Sequence, residues 1–592
     1  MDETTPQPEK GNKLSAFITR QWSWAPGYNK TVLTDDLIAA IIVTILLIPQ
    51  ALAYALLAGL PPQVGIYASV LPLIAYSVFG SSRHLSVGPT AVVSLMTAIT
   101  LATLPEGNRL ITAAALALMS GVFLLIMGMF RFGFIINFVS RPVVSAYITG
   151  AGLLITISQL KHILGVSAEG TTALALIGDL RSNIHDFHHV TALIGGITLV
   201  FLVLAKRYAA YVFLRLGMKK NNARIIARLM PILAVSVTII ISFIFKLGAN
   251  HNVSIIGDIP AGLPSIHLPD LHMNAYSVLI IPAFIIAVVA FVDSMTIAQT
   301  LAARSRSRID SNKELIGLGV ANITAGFSGA YPINGSLSRS AVNYSAGAQT
   351  PIAGLLTAGL MALTAVFLTP LLTHLPLTVL AALIIAACFS LMEFKDLWRT
   401  WVYSRADGIT ALAVFFSVLV FGVQWGVLIG VVLAMALHIR TTLRPHMAIV
   451  GRFPGTEHYR DADRYQVETH ERIKTLRIDE SLYYANARYL EDKVARLVSE
   501  SPDMTDLILM CPAVNRIDAS ALSSLREINK RLRSVNMRLH FSELHSHVKE
   551  RLHRSLFLEI LTGEVFLSQH EAMETLEPEP DWSLYSDHID IH

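Results

Sequence analysis

The long uncharged apolar runs at 37–60 and 409–437 decide what this chain can fold into before any motif is read. A helix of about 20 apolar residues spans a bilayer's hydrocarbon core, and it satisfies every backbone N–H and C=O internally. Composition agrees: 53% of the 592 residues are hydrophobic and only 15% are charged, against about a quarter charged in soluble proteins. The reading is an α-helical polytopic membrane protein. Fourteen membrane segments are expected, at 37–58, 63–80, 88–104, 110–130, 141–160, 190–206, 229–248, 277–302, 314–330, 336–347, 352–371, 375–392, 408–423 and 425–440.

Charge sets the expected orientation. Lys and Arg cluster at 206–207, 215–228 and 304–313, all on the side shared with the N-terminus, whereas the loop 250–276 has neither. By the positive-inside rule both termini are cytoplasmic, as in a bacterial inner membrane. The net charge of +4 therefore reports topology, and no nucleic-acid partner is expected. The N-terminus, MDETTPQPEKGNK, lacks the apolar core of a cleaved signal peptide. Cys388 and Cys511 have no partner or metal-ligand spacing, so neither a disulfide nor a metal is expected.

After 445 the pattern turns soluble, with strands expected at 473–478, 482–485, 505–511 and 537–542. Helices are expected at 486–499, 518–534 and 546–555, which makes a small sheet with helices packed on it. The expected division is a cytosolic N-terminal segment (1–34), a transport domain (35–443), a linker (444–463), an α/β domain (464–575) and a flexible tail (576–592).

Three stretches break the membrane pattern. YPINGSLSRSAVNYSAG (331–347) is rich in Gly, Ser and Asn and carries Arg339. As helix it covers only part of the ~30 Å core, so it is either a loop or a half-helix starting within the membrane. LSVGPTAVVSLM (85–96) begins another short segment, with Pro89 expected as the first helical residue. The first segment is expected to be interrupted at Pro49-Gln50. Short or Gly/Pro-interrupted segments at matching places in two halves point to a transporter's binding site, and here these are the third and tenth segments.

The motifs DLIAAIIVTILLIPQALAYALLAGLPPQVGIYAS (36–69) and FGSSRHLSVGPTAVVSL (79–95) resemble the SulP sulfate-permease family, which includes prestin. So do AFVDSMTIAQTLAARS (290–305) and GSLSRSAVNYSAGAQTPIAGL (335–355). LRIDESLYYANA (476–487) and NRIDASALSSLREI (515–528) resemble the family's C-terminal STAS domain. The resemblance implies a seven-plus-seven inverted repeat in core and gate domains, a homodimer and transport of small anions. It also places Ser338-Arg339 at the anion site, with first-segment residues nearby.

Two opposed helix N-termini bring about one positive charge, and Arg339 raises the total to about two, which suits a divalent oxyanion. Ser336, Ser338, Ser340 and Thr90 offer hydroxyls, beside Ala91 at the third segment's helix start. Gln50 and Tyr54, one turn apart, are candidates for the cavity wall. Gly88 and Gly335 serve turns and close approach. Against a substrate role, Arg339 can snorkel to an interface, and Ser336 or Ser338 can be a helix cap. Asn343, one turn beyond Arg339, either orients it or packs helices.

Asp293 is an acid in the middle of an apolar segment, on one face with Thr296 and Thr300. It either pairs with Arg339 or couples ions to transport. An ionised Asp293 about 8 Å from a divalent anion repels it by roughly 4 kcal/mol at a dielectric of about 20, and protonation removes that repulsion. In some bicarbonate-carrying relatives the acid is Asp and helps bind sodium, so Na+ near Asp293 is the alternative to H+.

In the STAS-like region Asp518 is expected to cap a helix. Related anti-sigma antagonists use a Ser-Ser phosphorylation switch there; one position is Ala519 here, which leaves Ser520 and a regulatory partner. No GxxxxGK[S/T] loop, clustered Cys/His set or nucleophile triad occurs, so neither an ATP-driven pump nor an enzyme is expected, and no cofactor. The first expectation is proton-coupled sulfate symport. Sodium-dependent bicarbonate transport, C4-dicarboxylate transport, an anion channel and a membrane-tethered signalling protein are the alternatives.

Overall fold

The computed structural model describes residues 28–577, apart from 103–108, 135–139, 169, 220–222, 224–225, 228, 259, 267–268, 270–272 and 390–391. Most of the expected N-terminal segment and nearly all of the tail lie outside the described residues. The chain divides into two compact units between Ala434 and Met435.

Among the described residues each expected membrane span overlaps helix. The first half runs α1 (Lys30–Leu57), α2 (Gln63–Tyr67), α3 (Leu71–Phe79), β1 (Val87–Gly88), α4 (Ala91–Ala102), α5 (Arg109–Met129), α6 (Arg141–Leu164), α7 (Ala173–Ser182), α8 (His189–Arg215) and α9 (Met230–Phe245). The second half runs α10 (Met273–Ser305), α11 (Ser311–Phe327), β2 (Asn334–Gly335), α12 (Leu337–Ala346), α13 (Ile352–Leu363), α14 (Leu377–Cys388), α15 (Phe394–Tyr403), α16 (Arg405–Phe421) and α17 (Val423–Leu443). Among the described residues six helices are long and apolar enough to cross a membrane, and shorter apolar helices accompany them. This is a multi-pass membrane protein.

Two expectations change locally. α1 passes through Pro49 without a break; the missing N–H removes one helical bond, and buried neighbours on both sides hold the helix together. Pro89 lies two residues before α4, and the ladder opens at Thr90, whose carbonyl accepts from Ser94 N at 3.0 Å.

Glycines let the helices approach one another. A Cβ on Gly121 of α5 would stand 2.6 Å from Ile323 N and 2.7 Å from Gly319 O on α11. Because these are backbone atoms, α5 and α11 touch main chain to main chain, and only a residue without a side chain fits. Buried carboxylates act as ties. Asp36 at the start of α1 accepts from Gln349 N (2.7 Å), Thr350 N (3.2 Å) and Thr350 Oγ1 (2.5 Å) before α13. Glu314 of α11, fully buried, accepts from Tyr76 Oη at 2.6 Å and Ser81 Oγ at 2.5 Å.

The second unit is α/β. Its strands are β3 (Met447–Arg452), β4 (Tyr459–Asp461), β5 (Ile473–Ile478), β6 (Asp506–Met510), β7 (Arg538–Ser542) and β8 (Val565–Phe566), in the spatial order β4-β3-β5-β6-β7-β8. From β5 to β8 neighbours are parallel, and β3 is antiparallel to both β4 and β5. The helices are α18 (Ala487–Glu500), α19 (Ala519–Ser534), α20 (Ser546–Arg554), α21 (Phe557–Ile560) and α22 (Gln569–Leu576). The apolar core joins Leu507, Leu509, Leu539 and Phe541 to Leu490, Val494, Leu525 and Ile528.

Two sequence expectations fail here. The stretch 444–463, read as a linker, supplies β3 and β4; Met447, Ala448 and Val450 are buried on pairing, which their short local run does not announce. The strand expected at 482–485 reduces to a single bridge, Leu482 to Ile517.

Candidate functional site

The short third and tenth segments meet through a two-stranded antiparallel ribbon. Val87 pairs with Gly335 and Gly88 with Asn334, and Ser336 N donates to Ser86 O at 3.0 Å. Each strand leads directly into a helix, so the pairing brings the starts of α4 and α12 together. α12 has ten residues, about 15 Å of helix, which is half of what a ~30 Å hydrocarbon core requires. The helix turns out of its path at Gly347, whose φ of +99° falls where glycine is favoured.

Ribbon and helices are locked together by side chains. Ser86 N donates to Ser340 Oγ at 2.8 Å, and Gly335 N donates to Ser294 Oγ of α10, also at 2.8 Å. Ser94 of α4 donates to Tyr331 Oη at 3.2 Å. Asn343 Nδ2 donates to His84 O at 3.2 Å, so it ties down the loop before β1.

Arg339 is fully buried. Its Nη1 donates to Gln50 Oε1 at 3.2 Å, whereas Nε and Nη2 have no hydrogen-bond partner among the described residues. A buried guanidinium with two open donors has a strong demand for an acceptor, because an unpaired buried polar group is costly. Its charge also sits beside two helix N-termini, where an anion is favoured. Tyr54, one turn from Gln50, is buried, as is Ala91, and Thr90 is half-buried.

Ser336 occupies the cap position of α12, but its hydroxyl accepts no cap bond. It lies 3.4 Å from Ser338 Oγ on an exposed residue. Both hydroxyls therefore remain free of the helix backbone in this arrangement.

Among the described residues no ion pair joins Asp293 to Arg339. The half-buried Asp293 instead accepts from Asn334 Nδ2 at 3.4 Å, and Asn334 Oδ1 accepts from Thr90 Oγ1. The hydroxyls of Thr296 and Thr300 are turned back to Val292 O (2.7 Å) and Thr296 O (2.8 Å) of their own helix, so they share its face without serving Asp293. Asn334 and Ser294 were not singled out from the sequence. The available signal was a polar amide immediately before the glycine that leads into the short helix.

In the second unit Asp518 caps α19, accepting from Ala521 N at 2.8 Å and Tyr484 N at 2.9 Å. Its slight burial works to raise the carboxyl, but the N–H groups of Ala521, Tyr484 and Ser520 and the nearby Arg516 charge hold it below the usual range. Ser520, next in the first turn, is exposed.

The sequence matches two family profiles, Sulfate permease family over 33–414 and STAS domain over 464–572. It is 35% identical to Probable sulfate transporter 4.2 of Arabidopsis thaliana over 555 residues, covering 91% of this chain and 80% of that protein. It is 32% identical to a probable sulfate transporter of Mycobacterium tuberculosis, covering 86% of this chain and 90% of that one. In structure it is similar to SLC26A9, with a TM-score of 0.84 at 24% identity over 98% of this chain and 96% of the other. The transmembrane domain of the cyanobacterial bicarbonate transporter BicA superimposes with a TM-score of 0.57 at 22% identity, over 69% of this chain and 98% of that domain.

Proposed function

The chain belongs to the sulfate permease family, a family of transporters, and from that premise we propose that it carries sulfate across the membrane by proton-coupled symport. The observation that carries this reading is the buried Arg339 with two open donors beside the paired starts of α4 and α12. Sulfate presents acceptors on every side and two charges, which suits the guanidinium, the exposed N–H groups of the helix starts and the Ser336 and Ser338 hydroxyls. Gln50 holds the guanidinium in place, and Tyr54, Thr90 and Ala91 line the same neighbourhood.

Coupling rests on Asp293. Ionised, it adds a negative charge near the incoming anion; protonated, it does not. Proton uptake and anion binding then favour each other, and release of one promotes release of the other. Lys and Arg placement supports cytoplasmic termini, and the family resemblance supports a homodimer with a STAS domain that docks regulatory partners, with Ser520 exposed as a modification point.

The deciding experiment is uptake of radiolabelled sulfate by purified protein in liposomes, under imposed proton and sodium gradients, with bicarbonate, chloride and succinate as competitors. Uptake driven by an inward proton gradient and independent of sodium is expected. Sodium-driven uptake blocked by bicarbonate would replace this reading with sodium–bicarbonate transport.

A further inference from the structure

Asn334 stands between the coupling acid and the helix that begins at the anion site. It is 1% exposed, its Nδ2 donates to Asp293 Oδ2 at 3.4 Å, and its Oδ1 accepts from Thr90 Oγ1. We propose that the Asn334 amide is a polarity relay, a positioning residue that passes the protonation state of Asp293 to the Thr90 hydroxyl at the start of α4. This inference rests on the proton-coupled reading above.

The logic follows from which atoms donate. An ionised carboxylate only accepts, so it takes the NH2 end of the amide. The carbonyl end is left facing Thr90, and the single proton of that hydroxyl is used up there. When Asp293 takes a proton from solvent it gains one O–H donor. Half a turn of the amide then lets Asn334 Oδ1 accept from the acid, while Nδ2 donates to Thr90 Oγ1. The Thr90 proton is released to donate to an anion at the paired helix starts. Only hydrogen bonds rearrange, and the one proton taken up at Asp293 is the one later returned.

Few other titratable groups belong to the elements packed against α10. From α12 the neighbour is Arg339, and from α6 the Tyr147 hydroxyl lies within electrostatic reach. Arginine and tyrosine keep one protonation state through the physiological range. On α10 itself Ser294 and Thr296 are hydroxyls engaged with Gly335 N and Val292 O. On α11 the Glu314 carboxylate is held by Tyr76 and Ser81. The nearest charge on α5 is Arg109, at its start.

The test is the pH dependence of KM for radiolabelled sulfate with the full chain in liposomes. The parent KM is expected to rise about fivefold or more between about pH 6 and about pH 8. In Asn334→Ala that dependence falls to about half of the parent's fold-change or less, what remains being the direct effect of the Asp293 charge, Thr90→Val behaves the same way, and the double variant is no worse than either single one. A merely structural Asn334 would lower the maximal rate and leave the pH profile of KM in place. A parent-like profile in Asn334→Ala, or losses that multiply in the double variant, would overturn the relay. A second readout needs no change at Asn334: infrared difference spectra on acidification should show the Asp293 carboxyl band shifted in Thr90→Val, and an unshifted band counts against the relay. Parent uptake indifferent to pH would remove the proton-coupled reading together with the relay, whereas pH-dependent parent uptake with an unchanged Asn334→Ala profile removes the relay alone.

Discussion

The Nη2 of Arg339 lies 3.4 Å from where a Cβ on Gly88 would stand, so the glycine before α4 is the wall against which the buried guanidinium rests. Gly88 also has a φ of +151°, which side chains rarely adopt. Gly88→Ala therefore strains the ribbon by about 1–3 kcal/mol and crowds the guanidinium. Sulfate KM is expected to rise about tenfold with assembly retained, read by liposome uptake beside size-exclusion chromatography.

Arg339 and Gln50 test the site from the other side. Arg339→Lys keeps a charge but loses the planar fork that reaches both Gln50 and a bound oxyanion. Uptake should fall at least about tenfold, close to Arg339→Ala, because a hydrogen bond to a charged group is worth about 1.5–3 kcal/mol. Gln50→Leu should raise KM about fivefold, because the guanidinium loses the acceptor that its Nη1 bonds. Equal uptake by parent and Arg339→Ala would remove the assignment.

Asp36 ties α1 to the residues before α13 through three acceptor bonds. In Asp36→Ala those donors lose their shared acceptor, for a loss of about 3 kcal/mol. A lower melting temperature of the detergent-solubilised protein is expected, and Asp36→Asn, which keeps an acceptor, should fall between.

The helix crossing at Gly121 predicts a harsher outcome. Gly121→Val drives a branched side chain into the main chain of α11, where neither helix can yield without losing its packing. Little folded protein should be recovered on expression, whereas Gly196→Ala, where a Cβ meets open space, should express like the parent.

Asp506 in β6 makes the second unit acid-sensitive. Burial alone would raise its carboxyl, but hydrogen bonds from His540, Arg538 and Thr505, with the Arg538 charge, hold it well below the usual range. Glu564 N donates to His540 Nδ1, so Nε2 carries the proton it gives to Asp506 at 2.9 Å. A carboxyl lowered on folding stabilises fully above its unfolded pKa of about 4, and this is lost as pH falls through the folded value. Hydrogen exchange in β6 and β7 of the full chain, corrected for intrinsic rates, should stay flat from about pH 7 to about pH 5 and quicken below about 4. Asp506→Asn should remove that dependence.

Sequence by itself determined the membrane segments, the shortness of α12 and the prominence of Arg339 and Asp293. Each is a local property: a run of apolar residues, a break in it, or a charge where lipid thickness allows none. The helices of the second unit were legible for the same reason, since α18 and α19 carry their apolar stripes within one stretch. Tertiary structure alone decided which partners these groups have. Thr90 and Asn334 meet across 244 residues and Arg339 and Gln50 across 289, and no local periodicity encodes such a pairing. The same holds for β3, which looked like a linker because its burial comes from β5, and for Pro49, where neighbouring helices outweigh one lost hydrogen bond. Pairing with Arg339 is one of the two readings the sequence allows for Asp293, because charge is all the sequence displays there. The fold put the neutral amide of Asn334 on the acid instead and left two guanidinium nitrogens open, because the β1–β2 register sets which side chains face each other.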